Sequence, residues 1–192
     1  KTAEEVNSPD LVPSTVTFEN YLYVFAEVPF ARYLLNSFFV SAAVTLIALW
    51  FHSMAAYALA RLRFPGREKI FLAIFATMLV SAPVTIIPTF VIVRTLGMVD
   101  NYAGLIVPAI FNAFGIFLLR QFYVSLPREL EEAGLVDGAS YWRIYRSIVL
   151  PLSRPILAAL SVFFFLANWN SFVWPLTVTS DPNLRVVQVG IQ

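Results

Sequence analysis

Few residues in this chain could do chemistry, and their pattern suits docking better than catalysis. The run Glu132-Ala133-Gly134-Leu135-Val136-Asp137-Gly138-Ala139-Ser140 sets two carboxylates among small side chains, inside a polar stretch between uncharged hydrophobic segments. Small residues keep a corner narrow enough to enter another protein's cleft. Tyr141 and Trp142, just beyond, are aromatics of the type enriched at interface hot spots. A second group, Asn168-Trp169-Asn170, has amides and a ring face that could hydrogen-bond to a sugar and stack on it. Helix-packing amides and a core tryptophan account for the same three residues. His52, the only histidine, reads as a neutral, hydrogen-bonded packing residue, because a proton relay needs acids within the spans and they contain none. There is no cysteine, which excludes disulfides, thiolate metal sites and thiol nucleophiles. The two lysines, Lys1 and Lys69, do not follow a glycine as a phosphate-loop lysine would. No catalytic residue, metal ligand or nucleic-acid partner is assigned.

The elements that must position these residues are membrane helices. Of 192 residues, 59% are hydrophobic and 13% charged, against roughly 25% charged in a soluble domain. Mean hydropathy is +0.74. The expected fold is an all-α, polytopic helical bundle. Four stretches approach the roughly 20 residues that cross about 30 Å of hydrocarbon: about 34–60, 70–93, 103–124 and 155–179. Residues 1–33 form an N-terminal extracytoplasmic segment, 125–154 a long loop, and 180–192 a tail. The chain opens on Lys1, and its first thirty residues lack a signal-peptide hydrophobic region, so it reads as a piece of a longer protein.

Basic residues set the orientation. Arg61, Arg63, Arg67 and Lys69 crowd one loop, and Arg120, Arg128, Arg143, Arg146 and Arg154 mark the long one. Both loops are therefore cytoplasmic, leaving the acidic N-terminal segment and the tail outside. Pro83, Pro88, Pro108 and Pro175 lie in or beside the spans, as packing kinks or as bends lining a path.

Within the cytoplasmic loop, Ser125-Leu126-Pro127 is expected to start a helix, with Ser125 as its cap. Asp137-Gly138 ends that helix, Ser140 caps a second, and Pro151 bends the chain back to the membrane. An interfacial helix lying on lipid headgroups is the alternative reading of this loop.

At these residues the chain resembles permease subunits of ATP-driven, binding-protein-dependent importers. Their cytoplasmic loop carries E-A-A, three residues, G, nine residues, I-x-L-P. Glu132, Ala133, Gly138, Ile148, Leu150 and Pro151 fall in register, with Gly134 in place of the second alanine. Tyr33-Leu34-Leu35-Asn36-Ser37, Ala55-Ala56-Tyr57-Ala58-Leu59-Ala60-Arg61-Leu62-Arg63-Phe64, Gly97-Met98-Val99-Asp100-Asn101 and Asn168-Trp169-Asn170-Ser171-Phe172 are similar to the maltose-transporter (MalG-like) type.

The resemblance implies a six-span fold, of which this chain lacks the first and last spans. It implies a coupling helix, with Glu132, Ala133, Gly134, Asp137, Gly138, Ala139 and Ser140 docking on a separate ATPase dimer that binds ATP and Mg. It further implies a second permease subunit, an extracytoplasmic solute-binding protein touching the outer loops near Asn101 and Asp181, and a sugar passing near Asn168, Trp169 and Asn170. The location is a bacterial or archaeal cytoplasmic membrane. An ion-coupled secondary transporter or a structural membrane subunit is the alternative. The first would carry carboxylates within its spans, and there are none.

Overall fold

The computed structural model describes residues 29–190, and these form helices and turns without a strand. Residues 1–28 and 191–192, which hold most of the expected outer N-terminal segment and the end of the tail, lie outside the described residues. The first helix, α1 (Phe30–Arg61), is the one described helix that is by itself long and apolar enough to cross a membrane. Its 32 residues extend about 48 Å at 1.5 Å per residue.

One face of α1 is small and hydroxyl-bearing, with Asn36, Ser37, Ser41, Thr45, Ala48, Ser53 and Ala56 all buried. Small residues let membrane helices approach closely. Against that face pack α4 (Tyr102–Ile110), α5 (Ala113–Ser125) and α8 (Arg154–Trp169). The opposite face exposes Leu35, Phe38, Leu46, Trp50 and Phe51, an apolar strip suited to lipid.

The three remaining hydrophobic stretches are interrupted. The stretch expected to be continuous over 70–93 is two helices, α2 (Arg67–Thr77) and α3 (Ala82–Thr95). Pro83 sits in the first turn of α3, where its missing N–H has no partner to lose. It starts a helix there and does not kink one. Over 103–124, α4 stops before Phe111 and α5 starts after Asn112, with a bend of 40° between them. Asn112 caps α5, its Oδ1 accepting the Phe114 N–H at 2.8 Å. Over 155–179, α8 ends at Trp169 and α9 (Val173–Val178) begins after a break at residues 170–172. Average hydropathy registers none of these breaks, because each is only two to four residues long and barely lowers the mean over a span of about 20 residues.

His52 repairs one of them. Its Nε2–H donates to the Ile110 carbonyl at 2.9 Å, at the end of α4, where helix carbonyls lose their intrahelical donors. Gly115 makes room for the ring, since a Cβ there would lie 2.4 Å from His52 Nδ1 and 2.7 Å from Phe164 Cζ. The packing role expected for His52 thus has a specific form, a side chain capping the neighbouring broken helix.

Asp100 ties two loops together. Its Oδ1 accepts the backbone N–H of Ser180 and, at 2.9 Å, of Asp181. Its own N–H donates to the Val178 carbonyl at 3.0 Å. The Asp181 N–H, then that of Ser180, holds the Asp100 carboxyl below its ordinary value of 3.8.

Two outcomes follow from this packing. Gly115→Val drives methyls into His52 and Phe164, and should destabilise the bundle by about 1–3 kcal/mol, read as a lowered Tm in detergent. A depressed carboxylate pKa stabilises above the ordinary aspartate range and is lost as pH falls through the depressed value. Amide protection at Ser180 and Asp181 should therefore hold at neutral pH and fall once the pH drops below 3.8, while Asp100→Asn should lack that transition.

Candidate functional site

The polar loop folds into a helical corner. Its first helix, α6 (Glu129–Val136), begins after Arg128. Ser125 does not cap it: that residue ends α5, and its hydroxyl donates to the Phe122 carbonyl at 2.8 Å. Glu129, Glu131 and Glu132 occupy the first turn of α6, where the helix dipole favours negative charge. The helix ends in a Schellman motif. Gly138 stands at φ +74°, its N–H donates to Leu135 O at 3.0 Å, and the Ala139 N–H donates to Gly134 O at 2.9 Å.

Ser140 then caps α7 (Tyr141–Leu152), its Oγ accepting the Arg143 N–H at 3.3 Å. Within α7, Tyr145–Val149 widen into a π-helical turn. The cause is Pro151, which has no N–H for the carbonyl four residues back and whose ring pushes that carbonyl aside. After Ser153 the chain turns 74° into α8.

Most of the expected docking residues face outward on this corner. Glu132, Ala133, Asp137, Gly138 and Ser140 are exposed, and Ala139 is half-buried. Gly134 is the correction: it is buried, and a Cβ on it would lie 3.1 Å from Ile144 Cγ1. It lets α6 lie against α7 and offers no surface to a partner. Val136 on the corner is instead 88% exposed, and Leu130, Leu135, Tyr141 and Trp142 are exposed as well. The apolar pair Leu135-Val136 in a polar loop gave no signal of this exposure.

What fixes the corner to the membrane region is Arg61, at the end of α1. Its guanidinium donates to the carbonyls of Tyr123 and Leu126, at the end of α5. Its Nε lies 3.2 Å from Glu131 Oε1 on α6, and the two side chains are 4% and 14% exposed. Burial pushes the Glu131 carboxyl pKa up, against the opposing pull of Arg61 and Arg128. A second tie joins the Ser53 hydroxyl of α1 to the Tyr145 hydroxyl of α7. Tyr57 packs beside it, with ring centroids 5.2 Å from Tyr145 and 6.3 Å from Tyr123. In the sequence Arg61 registers as an orientation marker and as part of the Ala55–Phe64 motif, and Glu131 not at all. Their partners lie about sixty residues apart, beyond any local pattern.

Within the bundle is a cavity of about 520 Å³, lined by Ser41, Thr89, Asn112, Asn168 and Trp174 among others. Of the three expected substrate residues only Asn168 lines it, and its Nδ2 donates to the Phe164 carbonyl at 2.8 Å. Trp169 stacks on Phe165 at 5.7 Å, outside the lining. Asn170 is exposed, with its amide on the Leu166 carbonyl at 2.9 Å. The aromatic lining is Phe163, Phe164 and Trp174, and the Trp174 indole N–H donates to the Gly104 carbonyl at 3.0 Å. The chain break at 170–172 decides which tryptophan faces inward, and the sequence does not announce it. Among the described residues no cluster of His, Cys, Asp or Glu could hold a metal ion.

A broken-helix bundle with an exposed helical corner strapped to its longest helix is the architecture of a transport permease. Residues 52–191 match the family described as binding-protein-dependent transport system inner membrane component, and the chain belongs to that family. It is 39% identical over 188 residues to the sn-glycerol-3-phosphate transport system permease protein UgpE of Salmonella typhimurium, covering 95% of this chain and 67% of that protein. The UgpE of Pectobacterium atrosepticum is 43% identical over 164 residues, covering 85% of this chain and 58% of the relative. Among solved structures, a bacterial ABC transporter involved in the import of the acidic polysaccharide alginate superposes with a TM-score of 0.86 at 30% identity. That match covers 93% of this chain and 63% of the other. The chain thus spans about two thirds of the length of the relatives it matches.

Arg61→Ala removes three contacts and leaves Glu131 buried without its cation. It is expected to cost about 2–4 kcal/mol, measured by thermal unfolding in detergent. Glu131→Gln keeps a hydrogen-bonding side chain and should cost only about 1 kcal/mol.

Proposed function

We propose that this chain is a membrane-spanning subunit of an ATP-driven importer that moves a carbohydrate across a bacterial or archaeal cytoplasmic membrane. The observation that carries this reading is the corner itself: an exposed helix–glycine–helix turn tied to α1 by a buried arginine. A separate ATPase dimer, holding ATP and Mg, receives Glu132, Ala133, Asp137, Gly138, Ala139 and Ser140, with Val136 at the tip. Closure of that dimer moves the corner as a rigid body. Arg61–Glu131 and Ser53–Tyr145 pass the displacement to α1, and the bundle turns its cavity outward. A second permease subunit completes the pathway, and a solute-binding protein delivers the carbohydrate at the outer loops pinned by Asp100. The glycerol phosphate named for the two UgpE relatives and the alginate named for the solved transporter support a carbohydrate-type cargo.

Two variants of the full-length subunit in its native host test the reading. Wild type should co-purify with an ATPase subunit and Glu132→Lys should not; if no ATPase accompanies either protein, the corner does not dock one. Gly138→Val forces a β-branched residue to φ +74°, at a cost of about 1–2 kcal/mol, enough to distort the corner while membrane insertion persists. ATP-driven uptake should fall well below wild type at equal membrane abundance, and normal uptake would count against coupling through this turn.

A further inference from the structure

We infer that the hollow at the turn between α1 and α2 holds the headgroup of an anionic phospholipid, which joins that turn to the start of the helical corner. The hollow has a volume of about 780 Å³, and Arg63, Arg67, Lys69 and Arg128 line it against a single carboxylate, Glu68. That carboxylate is already taken. Arg67 Nη2 lies 2.9 Å from Glu68 Oε1, and Arg120 Nη2 lies 3.1 Å from Glu68 Oε2. Arg67 is occupied further by the Leu62 carbonyl, which accepts from its Nη1 at 3.2 Å. Arg63, Lys69 and Arg128 are exposed and make no ion pair among the described residues. Arg128 pulls on Glu131 from a distance, but the ion-pair partner of that carboxylate is Arg61. Three cations without counterions thus border one hollow. Like charges held together repel, and an anion among them turns repulsion into attraction. Orientation of the chain accounts for basic residues in a loop, but it does not require Arg128, from a different loop, to border the same hollow.

The surroundings select a lipid from among anions. The hollow lies just past the end of α1, the described helix that is by itself long and apolar enough to cross a membrane. Exposed apolar side chains adjoin it: Phe64 in the lining, then Ile70 and Leu72 on α2. Acyl chains can lie along that surface while the phosphate meets guanidinium and ammonium groups. A soluble anion uses only the second feature. Basic pockets beside membrane helices take anionic headgroups in this way, and the planar fork of arginine matches phosphate with two parallel bonds. Arg128 immediately precedes α6. A headgroup shared by Arg63, Lys69 and Arg128 therefore ties the corner to the membrane surface, in addition to the Arg61–Glu131 pair. The inference rests on the membrane placement within the transport reading and not on its ATPase.

The test uses the full-length subunit, purified from its native host with the subunits that accompany it, in nanodiscs of equal phosphatidylglycerol and phosphatidylcholine. After transfer to detergent, native mass spectrometry counts the lipids retained. Phosphatidylglycerol is expected at about fivefold or more over phosphatidylcholine, and the triple variant Arg63→Gln, Lys69→Gln, Arg128→Gln should abolish that preference. A control that removes three exposed cations elsewhere, Arg143→Gln, Arg146→Gln, Arg154→Gln, should keep it. Equal retention of the two lipids by wild type would overturn the inference, as would an unchanged preference in the first variant or an equal loss in both. Excess inorganic phosphate should not displace the lipid; displacement would assign the hollow to a soluble anion. If the triple variant does not assemble, Arg63→Gln and Lys69→Gln singly should each lower the preference about twofold, and no change in either would overturn the site. Failure of the transport reading looks different: no ATPase accompanies the subunit, while lipid retention stands.

Discussion

In hydrocarbon an unpartnered backbone N–H or C=O costs several kcal/mol, and this chain interrupts its helices repeatedly. The structure depends on how those interruptions are repaired. His52 supplies the Ile110 carbonyl, Asn112 caps α5, and Trp174 reaches the Gly104 carbonyl. Arg61 gathers the two carbonyls at the end of α5, and Asp100 collects two N–H groups of another loop. Apart from Asn112, which caps the helix it precedes, each repair is a polar side chain from a distant segment. The bonds that satisfy the broken backbone are therefore also the bonds that hold the helices in register.

α1 supplies two of these repairs, His52 and Arg61. Toward its N-terminal end Ser37 and Ser41 line the cavity; toward its C-terminal end Ser53 and Arg61 hold the corner. Cavity and corner thus share one unbroken helix of 32 residues. A continuous helix is stiffer along its length than a flexible loop, and one such helix carries side chains of both regions. Gly115 and the small residues on the buried face of α1 let α5 lie close enough for the same hydrogen bonds to form.

Burial also divides the corner into inner and outer functions. Gly134 and Glu131 face inward, one to admit Ile144 and the other to meet Arg61. Glu132, Asp137 and Val136 face outward. Neighbouring acids on one helix therefore differ: Glu131 straps the corner down, and Glu132 is exposed. A helical period of 3.6 residues places adjacent side chains on different faces, but the faces acquire meaning only from what packs against them.

Local signals were legible from the sequence. The membrane class follows from composition, because hydrophobic content of this order exceeds what a soluble surface tolerates. The glycine turn at Gly138 and the cap at Ser140 depend on backbone conformations and bonds within a few residues. The spacing of the loop motif anticipated the family that residues 52–191 belong to. Tertiary structure alone decided where the hydrophobic stretches break, that Ser125 closes α5 and does not open α6, that Trp174 and not Trp169 walls the cavity, and that Arg61 seizes Glu131. Those outcomes turn on contacts between residues far apart in the chain, whose energies exceed local preference and leave no trace in a window of neighbouring residues.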